Sequence, residues 1–551
     1  MIRVEVKKII GQSLDSLIRD KKIEKNFIDY GFWFEKPLEQ YGDLTVNLHK
    51  IIERKKDKLG VLHEKGENFS KEEGDRILEK IKEHPDFKKF FTKAEFKAPV
   101  FFNFFYNSSY LQKQVLEILK KKEKFGQLKL GRNKKINLEF ISANPTGPLT
   151  VGNSRGGPWG ETLANVLTKA GFKVTTAYYV NDYGQQILAL GHSVLKDNQA
   201  EYKGGYIEEL RRKIKGKDPY QVGQKAAQSI LETMIKKTIK KMGFHFDEWV
   251  YESHFHQTGL VDKIIQKLKK KNLLYEKDGA WWFKASQLGD NRDRVLIKQD
   301  GQKTYLAGDL AYHWYKFKIK KYHQAINIWG ADHLGDEMGL RTGLRALGLK
   351  NKLTIIFLQF VTLWQKQAKL KMSKRAGTYV TLDELLSEMS RDVIKFFFLQ
   401  KSANTHLNFD LDLAKEQSEK NPIYYIQYAH ARICSIIRKS KNQISESEVN
   451  RKIKTIAQNL KLLVQPTELK LIKQLIKLPE IIEETAQDFQ VQRLSQYAFD
   501  LATVFHQFYR DCKVLSETEG LREARLALIL ATKIVLKTTL DLMNINAPEK
   551  M

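Results

Sequence analysis

Apolar residues recur at helical spacing near the start of the chain, at Ile9, Ile10, Leu14, Leu17 and Ile18, which predicts an amphipathic helix. A glycine turn at Tyr41, Gly42 and Asp43 and charged helical stretches follow. Residues 100–106 then read Val-Phe-Phe-Asn-Phe-Phe-Tyr. Alternating aromatic residues make either a buried strand or a platform for unpaired bases. Residues 1–115 are expected to form a small α+β domain.

After a basic connector at 120–135 the pattern changes to a strand at 136–141, the crossover SANPTGPLTVGNSRGG, a helical stretch to Ala170 and a second strand at 173–180. This β-loop-α-β succession predicts a Rossmann-like parallel sheet with a nucleotide site at its strand ends. Residues from about 195 to 284 read as a mostly helical insertion, and strand-like runs return at 294–297, 325–329 and 354–360, which extends this domain over 125–415. Beyond Asn421 and Pro422 the period is helical to the end, with Ile426, Ala429, Ile433 and Ile437 and later Leu526, Leu530 and Ile534. An all-α bundle is expected over 420–551, giving an α/β multidomain protein overall.

Composition narrows the partners. A chain of 551 residues exceeds what one hydrophobic core organises. No apolar run approaches the roughly 20 residues of a membrane span, so no membrane partner is expected. The first residues lack the apolar block and cleavage site of a signal peptide. The only cysteines, Cys434 and Cys512, are too few for a four-thiolate zinc site, so no structural zinc is expected and the compartment reads as a reducing cytoplasm. Lys and Arg total 94 against 65 Asp and Glu, a formal charge of +29. This excess points to a polyanion, or else to a lysine-coated solvated surface.

Two segments carry candidate phosphate chemistry. Pro148, Thr150, Gly152 and Asn153 lie between a buried strand and a helix start, where free amides and the helix dipole favour an anion. Far along the chain, Lys371, Met372, Ser373 and Lys374 open the string KMSKRAG, whose cations suit a loop clamping a triphosphate.

EFISANPTGPLTVGN, YYVNDYGQQI, WGADH, KMSKRAG, HLNFDLDLAKEQSEKNPIYYIQYAHARI and the terminal APEKM, in that order, resemble the class I aminoacyl-tRNA synthetases, and among them the bacterial arginyl-specific group. The resemblance spans nearly the whole chain. It implies ATP with Mg²⁺, L-arginine and tRNA(Arg) as partners, a monomer, a first domain against the tRNA elbow and a helical bundle against the anticodon. It also implies that the arginine carboxylate attacks the α-phosphate of ATP and that a terminal ribose hydroxyl of tRNA then takes the arginyl group. The family generally requires tRNA for the first step.

Carried over residue by residue, the resemblance gives Thr150, Gly152, Asn153, Lys371, Ser373 and Lys374 to catalysis and adds Pro148, His333 and Met372 to the ATP site. Glu139 and Asn144 would hold the amino and carboxylate groups of arginine, Tyr305 and Asp309 the guanidinium, and Glu252 a second acceptor; Asp332, Asp182 and Gln186 would complete the pocket. His333 could instead be a structural histidine. Tyr424, Tyr428, Arg432 and Tyr509 would face the anticodon, although tyrosines at helical spacing also build cores. Thr150 and Asn153 stand where the family usually has histidine. An active ligase or a catalytically silent tRNA-binding relative would both accommodate that departure.

Overall fold

Five parallel strands carry the centre of the molecule: β1 (Lys135–Glu139), β2 (Lys173–Val180), β3 (Glu248–Tyr251), β4 (Gln324–Gly330) and β5 (Leu353–Leu358). A computed structural model describes residues 2–23, 29–35, 39–56, 62–350, 352–366, 368–370, 380–440 and 451–551. The spatial order is β3-β2-β1-β4-β5, with every pairing parallel. This is the Rossmann order, and its reversal between β1 and β4 opens a crevice at the carboxyl ends of those strands. Ile136 and Leu138 of β1 and Ala325 and Ile326 of β4 are buried, as strands covered on both faces require.

The helix Gly156–Lys169 connects β1 to β2 and lies close against the sheet. A side chain at Gly160 would meet the Phe140 ring at 2.1 Å, so the glycine sets that approach. The helix and both strands fall where the apolar period places them.

The stretch 195–284, expected as a mostly helical insertion, carries strands as well as helices. Helices Gly205–Lys213 and Pro219–Ile230 are present, but β3 within it is the edge strand of the main sheet. Four residues are too short to display a period of two. Conversely, Arg294–Ile297 does not join the main sheet; it pairs with Ala280–Phe283 in a separate three-stranded antiparallel sheet.

The first hundred residues form antiparallel strands packed by helices Ile2–Arg19 and Lys71–Glu83. Phe102 and Phe104 are fully buried there, so the aromatic segment supplies core rather than a base platform at those positions. The last part of the chain is helical, opening at Pro422 with Asn421 as cap: its side chain accepts the Ile423 N–H at 3.2 Å. The first helix is tied to this bundle by Arg3 on Glu484 at 2.6 Å. Among the described residues no helix is long and apolar enough to cross a membrane.

Candidate active site

The crossover after β1 ends in a short helix, Val151–Ser154, running almost directly into Gly156–Lys169. Thr150 caps it: its Oγ1 accepts the Asn153 N–H at 3.4 Å and donates to Asn153 Oδ1 at 2.6 Å. The two residues standing in the place of histidines are therefore bonded to each other, and the Thr150 hydroxyl proton reaches a phosphate only if Asn153 turns away. The Val151 N–H is also used, on Val380 O at 3.1 Å. Among the described residues the Gly152 N–H is one of the amides of the turn for which no such partner is found.

Gly152 is exposed, and a Cβ added there would meet nothing closer than Thr150 Oγ1 at 3.9 Å. Packing within the protein does not require glycine at this position. Gly152→Ala should therefore fold normally and gain about 0.5–1 kcal/mol of stability from helix propensity. Its KM for ATP should rise about tenfold, because the methyl fills the approach to the free amide; thermal unfolding and ATP-dependent kinetics on the same preparation check both signs.

Lys371, Met372, Ser373 and Lys374 lie outside the described residues. The segment from Val380 onward is bonded to the crossover. Val380 O accepts from Val151, the Leu382 N–H donates to Leu149 O at 2.9 Å, and Thr150 bridges Thr381. The exit of the basic loop is thus stitched backbone to backbone onto the crossover turn.

On the other side of the crevice the structure gathers acids. Glu139 ends β1, Glu252 opens the helix Glu252–Gln257 after β3, and Asp309 sits one turn into the helix Tyr305–Trp314. Glu139 is committed internally: its Oε2 accepts from the buried Lys316 at 2.6 Å, and Lys316 also donates to Asn327 Oδ1 at 3.0 Å. Burial lowers the Lys316 ammonium, while Glu139 holds it up. Only Oε1 of Glu139, 3.4 Å from the Ser142 hydroxyl, remains for an outside ligand.

Among the described residues neither Glu252 nor Asp309 forms an ion pair with a lysine or arginine; His256 stands 3.7 Å from Glu252, and Lys316 offsets only part of the push on Asp309. Burial pushes the Asp309 carboxyl well above the usual carboxylate range, and the charges of Glu252 and Glu139 add to this. Burial likewise raises Glu252, whose Oε2 is buried without a hydrogen-bond partner. A Cβ on Gly308, next to Asp309 in the chain, would stand 2.9 Å from Glu252 Oε1, and the charge of Glu252 acts on Asp309, so the two acids are neighbours. Two carboxyl groups penalised in this way are the kind of acceptors that a planar cation would satisfy.

The other candidates occupy the rim. Asp182 accepts the Ser253 N–H at 2.9 Å and hydroxyl at 2.6 Å, fixing the turn that presents Glu252. Gln186 is buried and donates to Asn181 O at 3.2 Å. Tyr305 has an exposed ring at its helix start, and Glu252 influences its hydroxyl. Pro148 and Asn144 lie in the crossover, with Asn144 exposed. Asp332 and His333 are exposed beyond β4, where His333 Nδ1 is 3.3 Å from Asp336; no direct contact joins them to the acid pair.

Far from the crevice, three of the four anticodon candidates meet. Arg432 lies between the rings of Tyr428, at 4.9 Å, and Tyr509, at 5.1 Å, and donates to the Tyr428 hydroxyl. Tyr424 lies one turn earlier on the same helix and is half-buried.

Comparisons with known proteins agree with this layout. Residues 114–212 and 208–398 match the family model described as tRNA synthetases class I (R), catalytic domain, and residues 426–551 match the DALR anticodon binding domain. An arginine–tRNA ligase of Carboxydothermus hydrogenoformans is 37% identical over 99% of both chains. The chain belongs to the arginine–tRNA ligase family. Another member of that family, from Caldanaerobacter subterraneus subsp. tengcongensis, is 40% identical over 84% of this chain and 85% of its own. The solved arginyl-tRNA synthetase of Thermus thermophilus shares the fold at TM-score 0.73 and 20% identity, with 100% of each chain covered.

Within this arginine–tRNA ligase family member, residues that composition and spacing do not single out hold the site together. Arg155 is buried and donates to four backbone carbonyls, of Gln359, Thr405, Lys401 and Ser402, at 2.7–3.3 Å. Burial draws its guanidinium down to about 10, still charged at neutrality. It clamps the helix after the crossover to the strand ends beyond β5. Lys316 is the second such residue, and a lysine within YKFKIKK offers no signal that separates it from its solvated neighbours.

Proposed function

We propose that this chain attaches L-arginine to tRNA(Arg) through an arginyl-adenylate, with residues 125–415 performing the chemistry and 420–551 holding the anticodon. The observation that carries the reading is the pair Glu252 and Asp309, two neighbouring carboxyls that burial penalises and that, among the described residues, no lysine or arginine pairs with. A guanidinium supplies the missing charge and a fork of donors matched to two carboxylates. Lysine, whose ammonium is a point charge with fewer donors, would leave an acceptor unmatched.

With the guanidinium anchored there, Tyr305 covers it and Asp182, Gln186, Asn144, Asp332 and the free oxygen of Glu139 line the rest of the amino acid. The carboxylate end then lies toward the crossover. ATP would rest on Pro148, the Gly152 amide and the Thr150–Asn153 pair, with His333 at its adenosine end and Lys371, Met372, Ser373 and Lys374 closing over its phosphates. The arginine carboxylate oxygen attacks the α-phosphorus, and the bond to pyrophosphate breaks. A ribose hydroxyl at the tRNA terminus next attacks the arginyl carbonyl, and AMP leaves. No protein nucleophile takes part; positioning and charge neutralisation carry the rate.

Magnesium belongs to the nucleotide in this reading. Among the described residues no group of three or more His, Cys, Asp or Glu side chains could hold a metal ion, and Mg²⁺ commonly arrives on substrate phosphates. No step is assigned to it. The buried free thiols Cys434 and Cys512 suit a reducing cytoplasm, and since all assigned residues come from one chain, a monomer suffices.

The first domain, 1–115, would meet the tRNA elbow. Tyr424, Tyr428, Arg432 and Tyr509 would meet the anticodon loop, stacking on splayed bases and pairing a phosphate or base edge. Arg432→Ala should weaken tRNA binding about tenfold in a filter or fluorescence titration and leave the arginine KM at saturating tRNA unchanged. A charging assay with labelled amino acids and unfractionated tRNA tests the reaction: arginine should become acid-precipitable with the RNA, and lysine should not.

A further inference from the structure

Glu252 has a neighbour that the reading so far leaves idle. His256 lies one turn further along the helix Glu252–Gln257, with its side chain only 7% exposed. Its Nε2 is 3.7 Å from Glu252 Oε1. The ring lies flat on Tyr183, with centroids 3.8 Å apart and planes 14° from parallel. Both of its ring nitrogens are buried without a hydrogen-bond partner, as is Glu252 Oε2. A buried imidazole with neither nitrogen satisfied is uncommon in a folded protein, because each unmet polar group costs free energy. Core packing against Tyr183 accounts for the ring and not for the nitrogens, which a phenyl group would spare.

The geometry points to His256 as a positioning residue of the arginine site: its imidazole N–H holds Glu252 ionised and aimed at the guanidinium. This rests on the arginine-pocket reading above and adds to it a residue that does not itself touch the substrate. The titratable groups facing the pair are Asp182 and Tyr183 from the segment after β2, Tyr179 from β2, Tyr220 from the helix Pro219–Ile230, and Tyr305 and Asp309 from the helix Tyr305–Trp314. Burial raises the Glu252 carboxyl and Asp182 adds to that; His256 is the strongest influence in the opposite direction, ahead of the Tyr179 hydroxyl. A shift of 3.7 Å to hydrogen-bond distance takes a small rotation of either side chain, and the guanidinium drawing charge onto Glu252 favours the shorter contact.

The sign follows from the acceptor's charge. Arginine pairs with ionised Glu252, so its affinity falls as pH falls through the Glu252 titration. Without the imidazole that carboxyl rises further, and the loss of affinity begins at a higher pH.

The test compares His256→Phe, which keeps the ring on Tyr183, with His256→Gln, which restores an N–H donor. Arginine KM and kcat are measured for full-length protein with ATP and tRNA from pH 6 to 8.5. The expected result for His256→Phe is an arginine KM raised about tenfold at neutral pH, its acid limb moved upward and kcat within about twofold, with His256→Gln returning both toward the parent. A parental KM and acid limb in His256→Phe, or an equal fall of kcat in both variants, overturns the role. Asp309→Ala run in parallel separates the two readings. If it too leaves the KM unchanged, the pocket has failed; if only His256→Phe does, the His256 role has failed alone.

Discussion

Replacing Asp309 with alanine should raise the arginine KM by roughly thirty- to several-thousand-fold, the equivalent of about 2–5 kcal/mol for truncating one partner of a desolvated charge pair. The bound guanidinium would keep Glu252 but lose the acceptor on the neighbouring helix turn, and its remaining N–H groups would find no water in the crevice. Binding of tRNA should be unaffected, because the Tyr428, Arg432 and Tyr509 cluster lies on the helical bundle.

Stability should move the other way. A carboxyl held well above its usual range is penalised when ionised in the folded protein, so at neutral pH it opposes folding. Asp309→Ala should therefore melt at the same temperature as the parent or higher without ligand. Added arginine should raise the melting temperature of the parent and leave the variant unmoved. A site that lowers stability when empty and is satisfied by its ligand is the pattern expected of a functional residue rather than a structural one.

The second large effect is placed on Lys374. Its replacement by alanine should lower kcat for pyrophosphate exchange by about 10²–10³-fold, the usual consequence of removing one preorganised donor to a developing negative charge. The arginine KM and the tRNA affinity should change little, since in the proposed reaction the ammonium would act on the phosphates as pyrophosphate departs. Lys374 itself lies outside the described residues, but the loop it belongs to leaves at Val380–Leu382, bonded to Leu149 and Val151 of the crossover. That attachment places Val380–Leu382, the residues just after the basic string, beside the crossover turn that carries Gly152. A proportional loss of tRNA binding in Lys374→Ala would assign the lysine to the nucleic acid instead.

Much of this is legible in the chain itself. β1, β2, β4 and β5 announce themselves because buried parallel strands are nearly continuous apolar runs, and Asn421-Pro422 marks a capped helix start. β3 escapes, since four residues show no period and the helices around it dominate the pattern. The acids of the pocket are named through family resemblance, but their physical condition is not. Nothing in TYLAGDLAY shows that Asp309 makes no ion pair among the described residues, or that Glu139 makes one with Lys316, which arrives from 177 positions away. Arg155 and His256 are hidden for the same reason: their roles are set by carbonyls and rings contributed from distant segments. Charge also misleads at this scale: in a chain of net +29, no lysine or arginine among the described residues forms an ion pair with Glu252 or Asp309, and Lys316 only partly offsets the push on Asp309.

The departure at Thr150 and Asn153 is where an inactive relative would differ from an active ligase, and the structure shows those side chains bonded to each other rather than to open space. The most direct measurement is exchange of labelled pyrophosphate into ATP by the full chain, with arginine and tRNA supplied separately and together. The reading predicts exchange only when both are present, and none when lysine replaces arginine. Tight binding of tRNA with no exchange under any of these conditions would contradict it.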